Sequence, residues 1–383
     1  MKRIPALDML RGYALVAIML DHMPISILRG YTLANFAVFD AAELFVLLSG
    51  FLVGVVWLSI EARSGRRAAQ WRFLRRAVQV WLALIIGGVL MALLSRLLFA
   101  LGMPHTAIWS EYARWVIEFP IGYVVTLGTL WMQPNLMDVL ALYVVLLAFT
   151  PLTVPVLLRW PWLFAALSAA LWSVSVPLNE ALPNQRVQGG MLFNPFAWQA
   201  LFHTGIAMGI YREKFMPVLR RYSAPLTLAA IGIMIFGLAM AQLWRYGPAS
   251  KEIFYHLRDV VGPIDKWSLD IVRYVAVLVA AWLVTVPLAR PVNWLAGTGP
   301  GQALAIIGRG GLVTFVACVL LSVLGDAIMM MPAGDSVWFR LAIDITTLVI
   351  LWIVGCIAAF YKTQDRNRKT RPVQTVADRQ DPA

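Results

Sequence analysis

Long apolar segments recur along the whole chain, and they limit its fold more than any other feature of the sequence. Each is about 20 residues long, the length that an α-helix needs to cross roughly 30 Å of hydrocarbon. Of 383 residues, 60% are hydrophobic and 14% are charged, whereas soluble domains are about 45–50% apolar and about 25% charged. The strands of a membrane β-barrel alternate in polarity and lack such continuous runs. The sequence therefore predicts an all-α, polytopic membrane protein embedded in a lipid bilayer.

About ten transmembrane helices can be placed on these segments. We expect them to form one domain over residues 1–361, because no soluble domain or repeat interrupts them. The segment 362–383 is polar, basic and without periodicity, which predicts a disordered tail. The expected spans are 11–28, 40–60, 74–100, 136–158, 162–177, 196–210, 225–243, 269–288, 303–325 and 337–361.

Basic residues predict the orientation of the spans. They concentrate in the short segments 61–76 and 211–224 and in the tail, while the longer loops of the other side carry both signs of charge. An excess of Lys and Arg in short loops marks the cytoplasmic face, so both termini are predicted to be cytoplasmic. The net charge of +12 follows from this pattern, and we expect no nucleic-acid partner.

Ionisable side chains gather in the first two spans. Arg11, Asp21 and His22 lie in the first span, and Asp40 and Glu43 open the second. Arg11 and His22 are eleven positions apart, or three helical turns plus about 20°, which places both on one stripe roughly 16 Å apart along the axis. Because an ionisable residue at membrane depth is costly, each is a candidate functional residue.

A histidine beside a carboxylate is suited to general-base catalysis. A tight helical hairpin would bring Asp40 or Glu43 close to His22, and Asp21 directly precedes it. The alternative is a buried histidine that only packs. Arg11 suits a phosphate-bearing cytoplasmic cosubstrate, or it serves only as an anchor at the inner face.

Further polar positions have weaker functional signals. Asn135 and Asn194 are candidates for contacts with the acceptor or with catalytic side chains, although their spacing also fits helix N-caps. Trp198, Gln199 and His203 continue into an apolar helix and are further candidates for such contacts. Arg309, in a glycine-rich stretch, and Arg76 are candidates for contacts with the cosubstrate. No His or Cys group has the spacing of a zinc site, so we expect neither a metal nor a permanently bound cofactor.

Several of these segments together resemble a known family. Arg11 and His22, separated by ten residues, resemble the signature of the membrane acyltransferase-3 superfamily. More narrowly, the sequence resembles the OpgC family, the succinyltransferases of osmoregulated periplasmic glucans. The resemblance extends from residue 6 to about 325 and rests on the blocks Ala6 to His22, Asp40 to Gly50, Gln133 to Tyr143, Phe193 to Gln199, and Gly308-Arg309. Asp21 stands where relatives often have asparagine or another polar residue.

The resemblance implies an enzyme of the bacterial inner membrane that uses cytoplasmic acyl-CoA, here succinyl-CoA, as cosubstrate and a periplasmic β-glucan or related glycan as acceptor. His22 matches the catalytic histidine, Asp40 and Glu43 match the acidic residues of the second span, and Arg11 matches the arginine that contacts CoA. Gln133 belongs to one of the matching blocks and becomes a further candidate for contacts near the acceptor.

Four questions stay open at this level. An acetyl donor for another periplasmic glycan is the first alternative, and transfer could be direct or proceed through an acyl-enzyme. A proton-coupled transporter or flippase is the second alternative, since intramembrane His and carboxylates also form proton relays. A succinyl donor requires an additional cation, for which Arg29, Arg96 and Arg273 are the outward-side candidates.

Overall fold

The computed structural model describes residues 4–103, 110–134, 136–184 and 189–370, and its regular structure within these ranges is entirely helical. The predicted all-α class is confirmed for this part of the chain. The α-helices are α1 Pro5–Asp21, α2 Ala41–Ser64, α3 Arg66–Ala100, α4 Ser110–Glu118, α5 Pro120–Gly128, α6 Asp138–Arg159, α7 Pro161–Ser173, α8 Ser175–Glu180, α9 Pro195–Arg221, α10 Ser223–Leu243, α11 Pro248–Val261, α12 Ile271–Thr285, α13 Ala289–Gly297, α14 Gly299–Gly310, α15 Leu312–Met329 and α16 Val337–Thr370.

Within the described residues, six helices are long and apolar enough to cross a membrane, namely α2, α3, α6, α10, α15 and α16. A seventh span results if α12 and α13, which meet at an angle of 73°, are counted as one. The chain is therefore a multi-pass membrane protein. The number ten stays a prediction, as do the sides on which the termini lie.

The remaining expected spans differ from single apolar helices for identifiable reasons. The segment 303–325 is divided into α14 and α15 at Gly311, which has φ 72° and ends the first helix. The segment 11–28 stops being helical after Asp21, and two short 3-10 turns, Leu28–Tyr31 and Leu33–Asn35, follow before α2. The expected span at 162–177 is reduced to α7, with 13 residues.

The predicted tail is partly helical. Because α16 continues to Thr370, residues 362–370 extend the last helix instead of forming the start of a disordered segment. Lys, Gln and Arg are good helix formers, so polarity alone was not a sufficient signal for a helix end. The rest of the predicted tail, 371–383, lies outside the described residues.

The centre of the bundle depends on a close contact between α2 and α9. A Cβ added at Gly50 or Gly54 of α2 would overlap the carbonyl oxygen of Phe202 or Ile206 in α9, and Gly205 and Gly209 stand in the same relation to α2. Small residues four positions apart on both helices let two backbones approach each other. This contact places the first turn of α2, with Asp40 and Glu43, beside the first half of α9.

We expect Gly54→Ala to lower the melting temperature of the purified protein in detergent. The new Cβ would force α2 and α9 apart, and such overpacking costs about 1–3 kcal/mol. The matched control is Gly232→Ala in α10, where a Cβ meets open space. The control should hold or gain stability, by up to about 1 kcal/mol, because alanine is the better helix former. Equal melting temperatures for the two variants would contradict the close contact.

Candidate functional site

A cavity of about 1920 Å³ opens beside the segment that joins α1 to α2. Its wall is formed by the end of α1, this joining segment, the start of α2 and the chain from the end of α10 to the start of α12. Asp21, His22 and Asp40 line it, and His22 is exposed to its interior. We call this space the large cavity, and three of the four predicted catalytic residues meet there.

His22 directly follows the last turn of α1, and the backbone of that turn holds its ring. Nδ1 lies 2.6 Å from the carbonyl oxygen of Ile18. Because a carbonyl oxygen only accepts, Nδ1 carries the proton and donates it, and Nε2 is left as an acceptor. Among the described residues no side chain is hydrogen-bonded to Nε2. The ring thus has the tautomer of a general base whose reactive nitrogen belongs to an exposed side chain of the large cavity.

That Asp40 or Glu43 orients His22 stays a prediction. The charge of Asp40 acts on the His22 ring, but the hydrogen bonds described for the two carboxylates go to other groups. Asp40 is the N-cap of α2 and accepts a hydrogen bond from the backbone N–H of Ala42 at 2.8 Å. Glu43 accepts one from the backbone N–H of Asp40 at 3.0 Å, which completes a capping box. Together they satisfy two of the free backbone N–H groups at the start of α2.

The same two carboxylates bind two cations from a distant part of the chain. Arg273 of α12 lies 2.6 Å from Glu43, which is fully buried, and 3.4 Å from Asp40. Lys266 lies 2.7 Å from Asp40. This group of four, which we call the charge network, joins the first turn of α2 to α12 and to the loop before it. A buried carboxylate requires such a partner, since an unpaired buried charge is very costly.

Lys266 stays charged in this setting. Burial of its ammonium group by itself would lower the pKa, but the Asp40 and Glu43 carboxylates outweigh burial and raise the pKa above its ordinary value. A protonated Lys266 therefore neutralises Asp40 at neutral pH.

Asp21 also has a local structural partner. The hydroxyl of Thr32, a buried residue of the joining segment, donates a hydrogen bond to Asp21 at 2.5 Å. The bond ties the middle of the joining segment to the end of α1. Asp21 is thus placed to hold the cavity wall beside His22.

Asn194 and Trp198, two predicted acceptor-site residues, support the wall of the large cavity without lining it. Asn194 is confirmed as the N-cap of α9, accepting from the backbone N–H groups of Phe196 and Ala197. Its own backbone N–H and the indole N–H of the fully buried Trp198 both donate to the carbonyl oxygen of Trp267, at 3.0 and 3.1 Å. They hold the loop that carries Lys266 against the start of α9, and neither lines the large cavity.

Gln133 has a similar bracing position. Its side-chain oxygen accepts a hydrogen bond from the backbone N–H of Leu192 at 3.2 Å, and its amide donates to Leu130. Asp138, at the start of α6, lines the large cavity. Asn135 lies outside the described residues.

Gln199 and His203 lie away from His22. The Gln199 side chain exchanges hydrogen bonds with the hydroxyl and the carbonyl of Ser168 in α7, at 2.8 and 2.9 Å. His203 donates from Nδ1 to the carbonyl oxygen of Gln199 at 2.8 Å and lines a separate, smaller cavity of about 220 Å³ between α6, α7, α9 and α12. Their shared helix face, predicted from the spacing of four, faces α7 and not the large cavity.

The predicted cosubstrate residues lie toward the other end of α1. Arg309, at the end of α14, is 3.5 Å from Asp8, and Lys362 of α16 donates to the carbonyl oxygen of Arg309 at 2.5 Å. The start of α1 and the end of α16 are therefore at the same end of the bundle. A Cβ at Gly12 would overlap the backbone of Leu304, so α1 and α14 are in direct contact there.

Arg11 belongs to a cluster of like charges at this end. The charges of Arg11 and Arg72 both act on Arg76, so three arginines from α1 and α3 lie near one another. Nε of Arg11 is buried and has no hydrogen-bond partner among the described residues. We call Arg11, Arg72, Arg76 and Arg309 the arginine end. The described part of the chain holds no group of His, Cys, Asp and Glu side chains that could bind a metal ion.

Residues 3–363 match the family model described as OpgC protein. The chain belongs to the OpgC family. Nothing among the curated proteins and nothing among the solved structures matches the chain. Membership of the OpgC family over nearly the whole chain, together with the long apolar helices, supports a membrane protein of the acyltransferase type.

In this OpgC protein, sequence reasoning missed Lys266 and the role of Arg273. Arg273 had a usable signal, because an arginine inside an apolar run requires a buried partner. Lys266 had no such signal in the sequence, since it lies in a loop with charges of both signs. The role of Thr32 as the partner of Asp21 could not be predicted either, because a single threonine in a connecting segment has no distinctive sequence pattern.

We expect Glu43→Leu alone to destabilise the protein by about 3 kcal/mol or more, because Arg273 would lose its nearest carboxylate within the protein. The double variant Glu43→Leu/Arg273→Leu should be less destabilised than either single variant, since no uncompensated charge remains there. The measurement is denaturation in mild detergent. As the control, Glu118→Leu breaks an exposed ion pair with Arg114 and should change stability by only about 0.5 kcal/mol. Additive effects in the double variant would contradict the coupling of the network.

Proposed function

We propose that the chain is an acyl-CoA-dependent O-acyltransferase of the bacterial inner membrane. It moves a succinyl group from cytoplasmic succinyl-CoA to a hydroxyl of a periplasmic β-glucan. The observation that carries the proposal is His22, whose Nδ1 is hydrogen-bonded to Ile18 and which is exposed to a cavity large enough for sugar units.

In the proposed reaction, an acceptor hydroxyl enters the large cavity and gives its proton to Nε2 of His22. The hydroxyl oxygen attacks the thioester carbonyl carbon, and the carbon–sulfur bond breaks. The imidazolium of His22 then returns the proton to the CoA thiolate, so an ester and free CoA result. A single base is sufficient for this direct transfer, and the Ile18 carbonyl supports the imidazolium by accepting from Nδ1.

The donor would bind with its phosphates at the arginine end and its acyl group at the large cavity. Arg11, Arg76 and Arg309 supply positive charge, and guanidinium groups suit phosphate recognition. Arg11 and His22 are joined by one continuous helix and are separated by roughly 16 Å along its axis. The extended pantetheine arm of CoA has a comparable length, so the two sites fit the two ends of one cosubstrate.

This assignment sets the orientation that we propose. The arginine end is cytoplasmic and includes the start of α1 and the end of α16, so both termini are cytoplasmic. The large cavity opens toward the periplasm. The excess of basic residues in the segments 61–76 and 211–224 supports the same orientation through the positive-inside rule.

We expect His22→Gln to lower kcat of succinyl transfer by about 10²- to 10⁴-fold, the range that a general base contributes. The assay follows labelled succinyl-CoA and a β-glucan oligosaccharide with the purified protein. The matched control is His256→Gln on α11, an exposed histidine that should leave the rate unchanged. Full activity in His22→Gln, or label transfer in neither the wild type nor the control, would refute the proposal.

We expect Arg11→Gln to raise KM for succinyl-CoA about tenfold or more, since a charge-assisted hydrogen bond contributes about 1.5–3 kcal/mol. KM for the glucan should stay the same, because the acceptor binds at the opposite end of α1. The control is Arg63→Gln, an exposed residue at the end of α2. If KM for succinyl-CoA were unchanged in Arg11→Gln, Arg11 would not bind the donor and would serve only as an anchor at the inner face.

A further inference from the structure

Six Lys and Arg side chains of the described residues line the large cavity, and three of them are already paired with carboxylates. Lys266 and Arg273 are bound to Asp40 and Glu43 in the charge network. Arg258 is paired with Asp259 at 2.9 Å. None of these three is available to bind an anionic ligand without losing its carboxylate.

Arg29 is different, because its guanidinium has no carboxylate within ion-pair distance among the described residues. It lies on the joining segment, seven positions after His22, and lines the large cavity. Its charge acts on both His22 and Asp21. A guanidinium that is exposed, charged and beside the proposed base is placed to bind an anion at the reaction site.

The backbone around Arg29 is held firmly in place. Its N–H donates to the hydroxyl of Ser26 at 3.0 Å, and its carbonyl oxygen accepts from the backbone N–H of Thr32 at 3.1 Å. Its side chain donates one hydrogen bond from Nη1 to the carbonyl oxygen of Pro24, also at 3.0 Å. The other guanidinium nitrogens, Nη2 and Nε, have no partner among the described residues. This arrangement preorganises a fork that can bind a carboxylate through two parallel hydrogen bonds.

The other open candidates fit less well. Arg96 of α3 does not line the large cavity, and Arg273 is occupied by the charge network. Arg340 lines the cavity from the start of α16 and, like Arg29, donates to a carbonyl oxygen, that of Asp335, but its charge is not among the main ones that act on His22. Arg245 follows α10 and has no hydrogen bond of its side chain to a described residue, but its charge is not among the main ones that act on His22.

We infer that Arg29 determines the acyl specificity by binding the free carboxylate of a dicarboxylic acyl group while the thioester end of that group faces His22. The inference rests on the proposed function and adds the residue that distinguishes a succinyl donor from a neutral one. A neutral acyl group would leave the guanidinium without an anion, and an acyl chain that ends in a carboxylate would neutralise it.

The test compares succinyl-CoA with butyryl-CoA, because both acyl groups have four carbons and differ in a terminal carboxylate or methyl group. The full-length protein transfers either group to a β-glucan oligosaccharide, and kcat/KM is measured for each donor. We expect the wild type to prefer succinyl-CoA. Arg29→Gln should lower kcat/KM for succinyl-CoA by about 10- to 100-fold and leave that for butyryl-CoA equal or higher, so the preference is lost.

Two further variants separate a specific contact from a general effect. Arg29→Lys keeps the charge but not the fork and should retain part of the preference. Arg245→Gln removes a cation from the same cavity and should keep the wild-type preference.

If Arg29→Gln lowered kcat/KM equally for both donors, Arg29 would only maintain the conformation of the joining segment. If Arg245→Gln reduced the preference for succinyl-CoA as much as Arg29→Gln does, the preference would come from the overall positive charge of the cavity. Either result would overturn the inference. A wild type without any preference would also overturn the inference, although the proposed function would stand. Transfer of neither group by the wild type would defeat the proposed function itself.

Discussion

The organisation of the large cavity depends on the charge network at the start of α2. A fully buried Glu43 is tolerable only because Arg273 lies 2.6 Å away, since an unpaired charge in a low-dielectric interior is very costly. The network thereby fixes α12 and the Lys266 loop against α2. The carboxylates of the network, which the sequence suggested for catalysis, are thus bound to its cations. Nε2 of His22 and the Nε and Nη2 atoms of Arg29 have no hydrogen-bond partner among the described residues.

Helix α1 connects the large cavity to the arginine end and acts as a rigid spacer between them. Its last turn provides the Ile18 carbonyl that sets the tautomer of His22, and its first half carries Arg11 into the cluster with Arg76. Because the rise of an α-helix is fixed at about 1.5 Å per residue, the ten intervening residues define the distance between the two sites. A cosubstrate with a charged head and a long, thin arm is the ligand that matches this separation.

The sequence predicted the residues of the site better than their partners. His22, Asp21 and Asp40 do meet at one cavity, as ionisable residues in neighbouring apolar segments had indicated. The charge of Asp40 acts on His22, but the sequence did not reveal that Asp40 and Glu43, three positions apart, also form a capping box. Gln199 and His203 share a helix face, but helical spacing does not specify which neighbour that face meets, and here it meets α7.

By itself the sequence determined the helical class, the membrane environment, the family and the stripe that joins Arg11 to His22. The helical class, the membrane environment and the stripe follow from composition and local periodicity, which depend only on neighbouring residues, whereas the family is indicated by sequence motifs spread along the chain. Tertiary structure alone decided that Arg273 and Lys266 neutralise Asp40 and Glu43, that Gly311 divides an apolar run, and that Arg29 stays unpaired by a carboxylate among the described residues. Each of these depends on contacts between segments that are distant in the chain. Such contacts are selected by the requirement that every buried charge and backbone polar group find a partner.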